Sequence, residues 1–299
     1  MSETTKNKIF EYLPFIGMAL YILLVQVIAL LLAPPMDASD MRAVSDPQSV
    51  WNPIYYIIIV LGFTAFILLV IKLNLKWIIH ATILFAVAST LYYVFFALFA
   101  MLSLDFTIVV LVPFIFSAAL TILLYKFPEW YVINITGVLI GAGAGALFGI
   151  SLGIIPAIIL LVLLAIYDAI SVYKTKHMIA LAEGVMSIKV PILFIVPKSL
   201  DYSFINQEEP KKEIESEIVE RGAYFMGLGD AVIPTVLVVS SNVFIPHNGF
   251  IGLPALGAII GCMFGYMVLA RSVRKGKPQA GLPFLNTGTI LGFIAGSLV

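Results

Sequence analysis

The chain has 299 residues, of which 61% are hydrophobic and 11% charged, with equal numbers of basic and acidic side chains. A soluble domain is about a quarter charged, so this composition excludes an ordinary soluble fold, and zero net charge offers no basic face for nucleic acid. The lone cysteine, Cys262, excludes an internal disulfide and reads as a small packing residue, and no cysteine–histidine cluster points to zinc.

Apolar stretches of the ~17–25 residues needed to cross a bilayer occur at about 12–33, 54–71, 77–102, 106–125, 131–150, 153–173, 222–245, 249–270 and 281–299. This predicts an all-α polytopic membrane protein with nine transmembrane helices. The first run exceeds the ~7–15-residue core of a secretory signal, and Leu31-Leu32-Ala33 is a poor cleavage site, so it is expected to be retained. Lone amide Gln26 in that span predicts an interhelical hydrogen bond. Between Tyr131 and Tyr173 the only charge is Asp168. One helix of that length would reach ~64 Å, so the chain must turn, and Gly149-Ile150-Ser151-Leu152-Gly153 before Pro156 supplies the turn.

With nine spans and the N-terminus inside, 16 of the 17 Lys and Arg are cytoplasmic, and only Arg42 lies outside. The C-terminus is then outside, as in a multi-pass plasma-membrane protein. The chain divides into a six-span half (1–173), a cytoplasmic connection (174–221) and a three-span part (222–299). Within the connection, Ile188 to Pro197 carries two prolines and β-branched residues, which predict an edge strand. A short surface helix is expected over 207–218. Gly137, Gly141, Gly145 and Gly149, and likewise Gly257, Gly261 and Gly265, recur every four residues and predict close helix packing.

Two motif matches are set aside. Gly149-Ile150-Ser151-Leu152-Gly153 fits the hydrolase elbow, but it lies in a turn between membrane helices, and none of His80, His177 or His247 is placed to assist. Asn134-Ile135-Thr136 fits a glycosylation acceptor but is inside a span.

Of 17 acidic residues, only Asp168 and Asp230 sit well inside apolar spans. A carboxylate in hydrocarbon is functional by default. Counted as helix, Asp168 lies ~9 Å before Lys174 and Asp230 ~14 Å after Arg221, at comparable depth from the same side. Two acids meeting in a low dielectric cannot easily both ionise, which is what an aspartic protease needs: a base to activate water and an acid to protonate the carbonyl or leaving amine. Gly227 and Gly229 are expected to let another backbone approach, either span six or a substrate. Pro234 strips the carbonyl of Asp230 of its helical partner and predicts a kink. The same two acids would serve a proton-coupled transporter, and spacing alone leaves protease and transporter level. A non-catalytic helix-binding chaperone is a third reading. The absence of a clear internal repeat leans against transport.

Tyr167-Asp168 and Gly227-Leu228-Gly229-Asp230, in consecutive spans, resemble the YD and GxGD motifs of presenilins and signal peptide peptidases. The longer run Phe225 to Pro234 is especially similar to signal peptide peptidase, and the compact length resembles an archaeal presenilin homologue. The resemblance implies a presenilin-like fold and an intramembrane aspartyl endopeptidase. Its implied substrates are transmembrane segments of membrane proteins or signal peptides, cut within the lipid bilayer. It assigns Asp168 and Asp230 as the dyad and Tyr167, Gly227, Leu228 and Gly229 as motif residues. The family's PAL motif opens the ninth span. A literal Leu253-Pro254-Ala255-Leu256 falls in span eight, so position favours Pro283-Phe284-Leu285, with Phe for Ala. The resemblance implies no metal or organic cofactor, water as co-substrate and no obligate partner subunits. A substrate helix must unwind before it is cut, and the extended 188–197 piece either offers it strand pairing or merely covers the pocket.

Overall fold

The computed structural model describes residues 3–73, 75–102, 104–175, 193–199, 202–205, 222–274 and 279–299. The expected surface helix over 207–218 and the first half of the expected strand, 188–192, lie outside the described residues. The helices are α1 (Glu3–Ala38), α2 (Asn52–Lys72), α3 (Lys76–Ala100), α4 (Phe106–Lys126), α5 (Trp130–Ser151), α6 (Ile154–Ile170), α7 (Leu228–Phe244), α8 (Leu253–Val273) and α9 (Leu282–Ser297). A π-helical turn, Ser171–Thr175, continues α6. Strands β1 (Leu193–Pro197) and β2 (Ala223–Gly227) form one antiparallel pair.

Each run predicted to span gives a helix, because an apolar backbone in lipid must satisfy its own hydrogen bonds. The turn between α5 and α6 falls at Leu152 and Gly153, as the length argument requires. Ser151, in the discarded hydrolase motif, is structural: its hydroxyl donates to Leu147 O (2.6 Å) and accepts from Ala43 N (2.8 Å).

Seven helices, α1–α6 and α8, are long and apolar enough to cross a membrane; α7 and α9, of 17 and 16 residues, are shorter. At ~1.5 Å per residue these two reach only ~24–26 Å, less than the ~30 Å hydrocarbon core. The seventh span, expected to be helical throughout 222–245, therefore differs: Ala223–Gly227 is strand, and the helix begins at Leu228. Tyr224 and Phe225 suit a strand, and β1 supplies the partner that keeps their backbone groups paired.

Among the long helices α5 is the most buried and α2 the least. The glycine stripe of α5 faces α1 and α7: a Cβ at Gly145 would meet Thr235, and one at Gly149 would meet Val239. The stripe on α8 meets a second one on α9 made of Gly288, Gly292 and Gly296, where backbone touches backbone. Gln26 is fully buried on α1 beside the Cys262 thiol of α8, but its amide atoms have no hydrogen-bond partner among the described residues, so the expected interhelical hydrogen bond is not made.

The sheet is seated on α5. Phe194 is fully buried, stacks on Tyr21 with centroids 5.2 Å apart, and lies over Gly137. Beyond the sheet, Glu129 holds the 202–205 segment by accepting from Ser203 Oγ (2.7 Å) and Phe204 N (3.0 Å).

Candidate active site

Three chain ends converge at one end of the bundle: the C-terminus of α6 and the N-termini of α7 and α9. Asp168 sits on the last turn of α6 and is 6% exposed. The π-helical turn follows it, with Ser171 fully buried and its hydroxyl donating to Tyr167 O (2.8 Å) and Asp168 O (3.2 Å). Such turns are frequent at functional sites, because they re-aim side chains within a helix. Asp230 is the third residue of α7, half-buried, in the first turn after the strand.

The element that joins them is the start of α9. Pro283 is the second residue of that helix, where its missing N–H costs nothing. First-turn amides of a helix have no partner within it. Here the Leu282 amide donates to Asp168 Oδ2 at 3.1 Å, and the Gly281 amide lies beside this carboxyl. On its other side Gly281 touches Asp230: a Cβ there would lie 2.8 Å from Cγ, Oδ1 and Oδ2 of that residue. The φ of Gly281 is −76°, open to any residue, so the glycine is required for space. One residue thus separates the two carboxyls, its amide turned to one and its Cα to the other. Tyr173 secures the approach, donating to Gln279 Oε1 (2.9 Å) and accepting from Ala280 N (3.3 Å).

Both carboxyls line a cavity of about 480 Å³. Its wall includes Gly227, Leu228 and Gly229 from the GxGD stretch, Phe15 and Met18 from α1, and Tyr266 from α8. Tyr266 ties α8 to α1 by donating to Phe15 O at 2.8 Å. Tyr167 lies behind Asp168 and does not line this cavity. Pro283, Phe284 and Leu285 do not line it either: Leu285 is fully buried in the core beside Ala231 and Tyr266, and Phe284 packs partly against that cluster. The close approach to the dyad is made by Gly281 and Leu282, just ahead of the tripeptide singled out by resemblance. The signal for them in the sequence was Pro283 itself, since a proline in the first turn leaves free amides immediately before it. The literal Leu253-Pro254-Ala255-Leu256 opens α8 at the opposite end of the bundle.

Of the two approaches expected at Gly227 and Gly229, that by span six is not made. Gly227 pairs with Leu193 of β1, but on the Cβ side no backbone approaches either glycine: a Cβ at Gly229 would meet nothing within 4 Å, and one at Gly227 only the Asp230 carboxyl, from 3.5 Å. The space beside them is cavity. Pro234 is buried within a continuous α7.

Asn134, set aside in the sequence, is a further residue of the region. Its Nδ2 donates to Ile195 O (2.6 Å) and Tyr21 OH (3.0 Å), and its Oδ1 accepts from Ile195 N (2.8 Å). Nothing in the sequence distinguished it from an ordinary span amide.

The family profile described as signal-peptide peptidase, presenilin aspartyl protease matches residues 18–299. No curated protein matches the chain. The similar solved structures include two presenilin-family proteases. A presenilin family intramembrane aspartate protease in space group C222 is 42% identical, with a TM-score of 0.72, covering 95% of this chain and 99% of that one. A presenilin family intramembrane aspartate protease in space group P2 is also 42% identical, with a TM-score of 0.71, covering 96% of this chain and 99% of that one. The transporter reading finds no support in these relatives. With two carboxyls at one cavity in a helical membrane bundle, and with these matches along nearly its whole length, the chain belongs to the signal peptide peptidase and presenilin family and is an intramembrane aspartyl protease.

Proposed function

We propose that Asp168 and Asp230 are the catalytic pair and that they hydrolyse a peptide bond of a membrane-spanning segment lying unwound along β2. The observation that carries the assignment is their meeting on either side of Gly281 at the wall of one cavity. One carboxylate removes a proton from water as the oxygen attacks the peptide carbonyl. The other carboxyl gives its proton to the carbonyl oxygen and, as the C–N bond breaks, the nitrogen leaves protonated. The two roles belong to the pair, which shares its protons.

The substrate path follows from the ladder. In an antiparallel pair, residues whose amide and carbonyl face the partner strand alternate with residues that face away. Both backbone groups of Ile195 go to Asn134, so Ile195 and its partner Phe225 face away from each other's strands. The Lys198 amide donates to Gly222 O at 2.9 Å, in phase with this assignment. The outer edge of β2, at Ala223, Phe225 and Gly227, is then the one open to an added strand. It leads within three residues to Asp230. In this reading the substrate joins at β2 and not at Leu193–Pro197, whose outer edge is occupied at Ile195 by Asn134.

The chain acts without obligate subunits in this reading, as its likeness to signal peptide peptidases suggests. The charge bias of the sequence supports a cytoplasmic N-terminus and a dyad nearer the cytoplasmic side. The test is cleavage of a synthetic single-span peptide by the purified protein alone. Asp168→Asn and Asp230→Asn should each fold and each lose at least ~100-fold in kcat, the lower end of what a general acid or base supplies. Retained cutting by either variant removes that residue from the pair.

A further inference from the structure

A strand edge inside a membrane poses a problem that a helix does not. Each outward amide and carbonyl needs a partner, and hydrocarbon supplies none. The sheet has two outer edges. That of β2 faces the cavity and the dyad. That of β1 faces α5, where a row of helix side chains would ordinarily leave Ile195 unpaired. Asn134 solves this with a single side chain: a carboxamide carries one acceptor and two donor hydrogens, the complement of a strand residue plus one. It binds both backbone groups of Ile195, and its remaining donor hydrogen goes to Tyr21 on α1. It is 2% exposed, so water does not compete for these bonds. Tyr21 in turn stacks on Phe194, the strand neighbour of Ile195, whose ring lies over Gly137, three residues after Asn134. The clamp therefore fixes the sheet in height and in rotation against α5.

We propose that Asn134 is a positioning residue for proteolysis, closing the β1 edge and holding the sheet so that a substrate strand joins at β2 in one register. This rests on the strand-addition reading above. A substrate paired to β2 is aligned to Asp230 only as well as β2 is aligned to the bundle. Beyond its antiparallel bonds to β2, β1 is pinned to that bundle at Ile195 by Asn134. If the clamp loosens, the sheet shifts and neighbouring peptide bonds are brought to the dyad.

The test uses the full-length protein and a synthetic single-span peptide with an aliphatic core. Asn134→Asp keeps the acceptor but sets a second oxygen where the donor stood, 2.6 Å from the Ile195 carbonyl. Asn134→Leu keeps the branched shape and removes all three bonds. Each is expected to raise KM on the order of tenfold, from the loss of buried hydrogen bonds, and to spread the cut over adjacent bonds, read by mass spectrometry of the released fragments. A residue that served stability alone would lower the active fraction and leave the cut positions and KM of the surviving enzyme unchanged; that result overturns the proposal. Should neither variant fold, residue-resolved amide exchange on the Asp230→Asn protein decides. The Ile195 amide should be protected without peptide, and the Phe225 amide should gain protection only when peptide is bound. Protection gained at Ile195 and not at Phe225 overturns it. Failure of the parent to cut any single-span peptide, or cutting by Asp168→Asn, would instead refute the catalytic reading on which this inference stands.

Discussion

Replacing Gly281 with alanine adds one methyl group between the two carboxyls. The methyl would stand 2.8 Å from three atoms of Asp230, where ordinary contact begins at 3.4 Å. Either the Asp230 carboxyl retreats by about 0.6 Å or the start of α9 does. In the second case the Leu282 amide that holds Asp168 moves as well, so both carboxyls leave their places together. A misplacement of ~1 Å costs ~100-fold in rate, so 0.6 Å predicts a fall in kcat on the order of tenfold. Overpacking costs ~1–3 kcal/mol, and the cavity beside Asp230 puts this case near the lower end, so the protein should still fold. The assay is steady-state cleavage of a single-span peptide by purified protein, with thermal unfolding followed in parallel. Gly62→Ala is the control, because a Cβ there would meet nothing within 4 Å. If Gly281→Ala keeps kcat within threefold of the parent while folding normally, Gly281 does not set the spacing of the carboxyls.

Other outcomes follow from neighbouring contacts. Gly292→Ala should lower the unfolding temperature, because its methyl would meet Gly261 Cα at 2.8 Å on a face with no side chain to yield; an unchanged melting point would refute the backbone seam. Tyr173→Phe removes the bonds to Gln279 and Ala280 that steady the approach to α9, and should lower kcat several-fold with little change in stability, by cleavage and melting assays together. Gly229→Ala should fold as the parent does, since its Cβ points into open space, and any effect should fall on KM because that space is cavity wall. The phenol of Tyr202, outside the spans, is pushed up to about 12 by burial and then by the nearby Glu129 carboxylate. Its folded value lies above the ordinary 10, so the stability linked to this group is full below pH 10 and lost as pH rises through about 12. An ultraviolet difference titration against Tyr202→Phe checks this, and Glu129→Gln should move the midpoint down.

The sequence revealed what hydrocarbon makes costly. Asp168 and Asp230 stood out because a carboxylate in an apolar span needs a reason, and the α5–α6 turn stood out because one helix cannot be two bilayers long. What it hid were features decided by partners. Ala223–Gly227 is as apolar as any span, and only the pairing with β1, far off in the chain, makes it a strand. Asn134 is legible as a clamp only after β1 is laid against α5. The glycines of α9 repeat at the same interval as those of α8, yet a repeat does not name its partner. Resemblance pointed to Pro283, Phe284 and Leu285; the groups that reach the carboxyls are the two residues before them, because a helix start offers its unpaired amides ahead of its first proline.

Along the α8–α9 seam the carbonyls of Gly257, Gly261, Gly288 and Gly292 each rest on a glycine of the other helix, and those of Phe284 and Leu253 rest on Gly265 and Gly296. Rotamer changes cannot loosen such a contact, for it contains no rotamers. Sliding along it has no half-way stop either, since the next equivalent match lies four residues on, ~6 Å away. The two helices must therefore travel as one stiff beam. Because α9 begins beside Asp168 and Asp230, small tremors at the far end of α8 are delivered to these two carboxyls as rigid-body displacement, undamped by side chains.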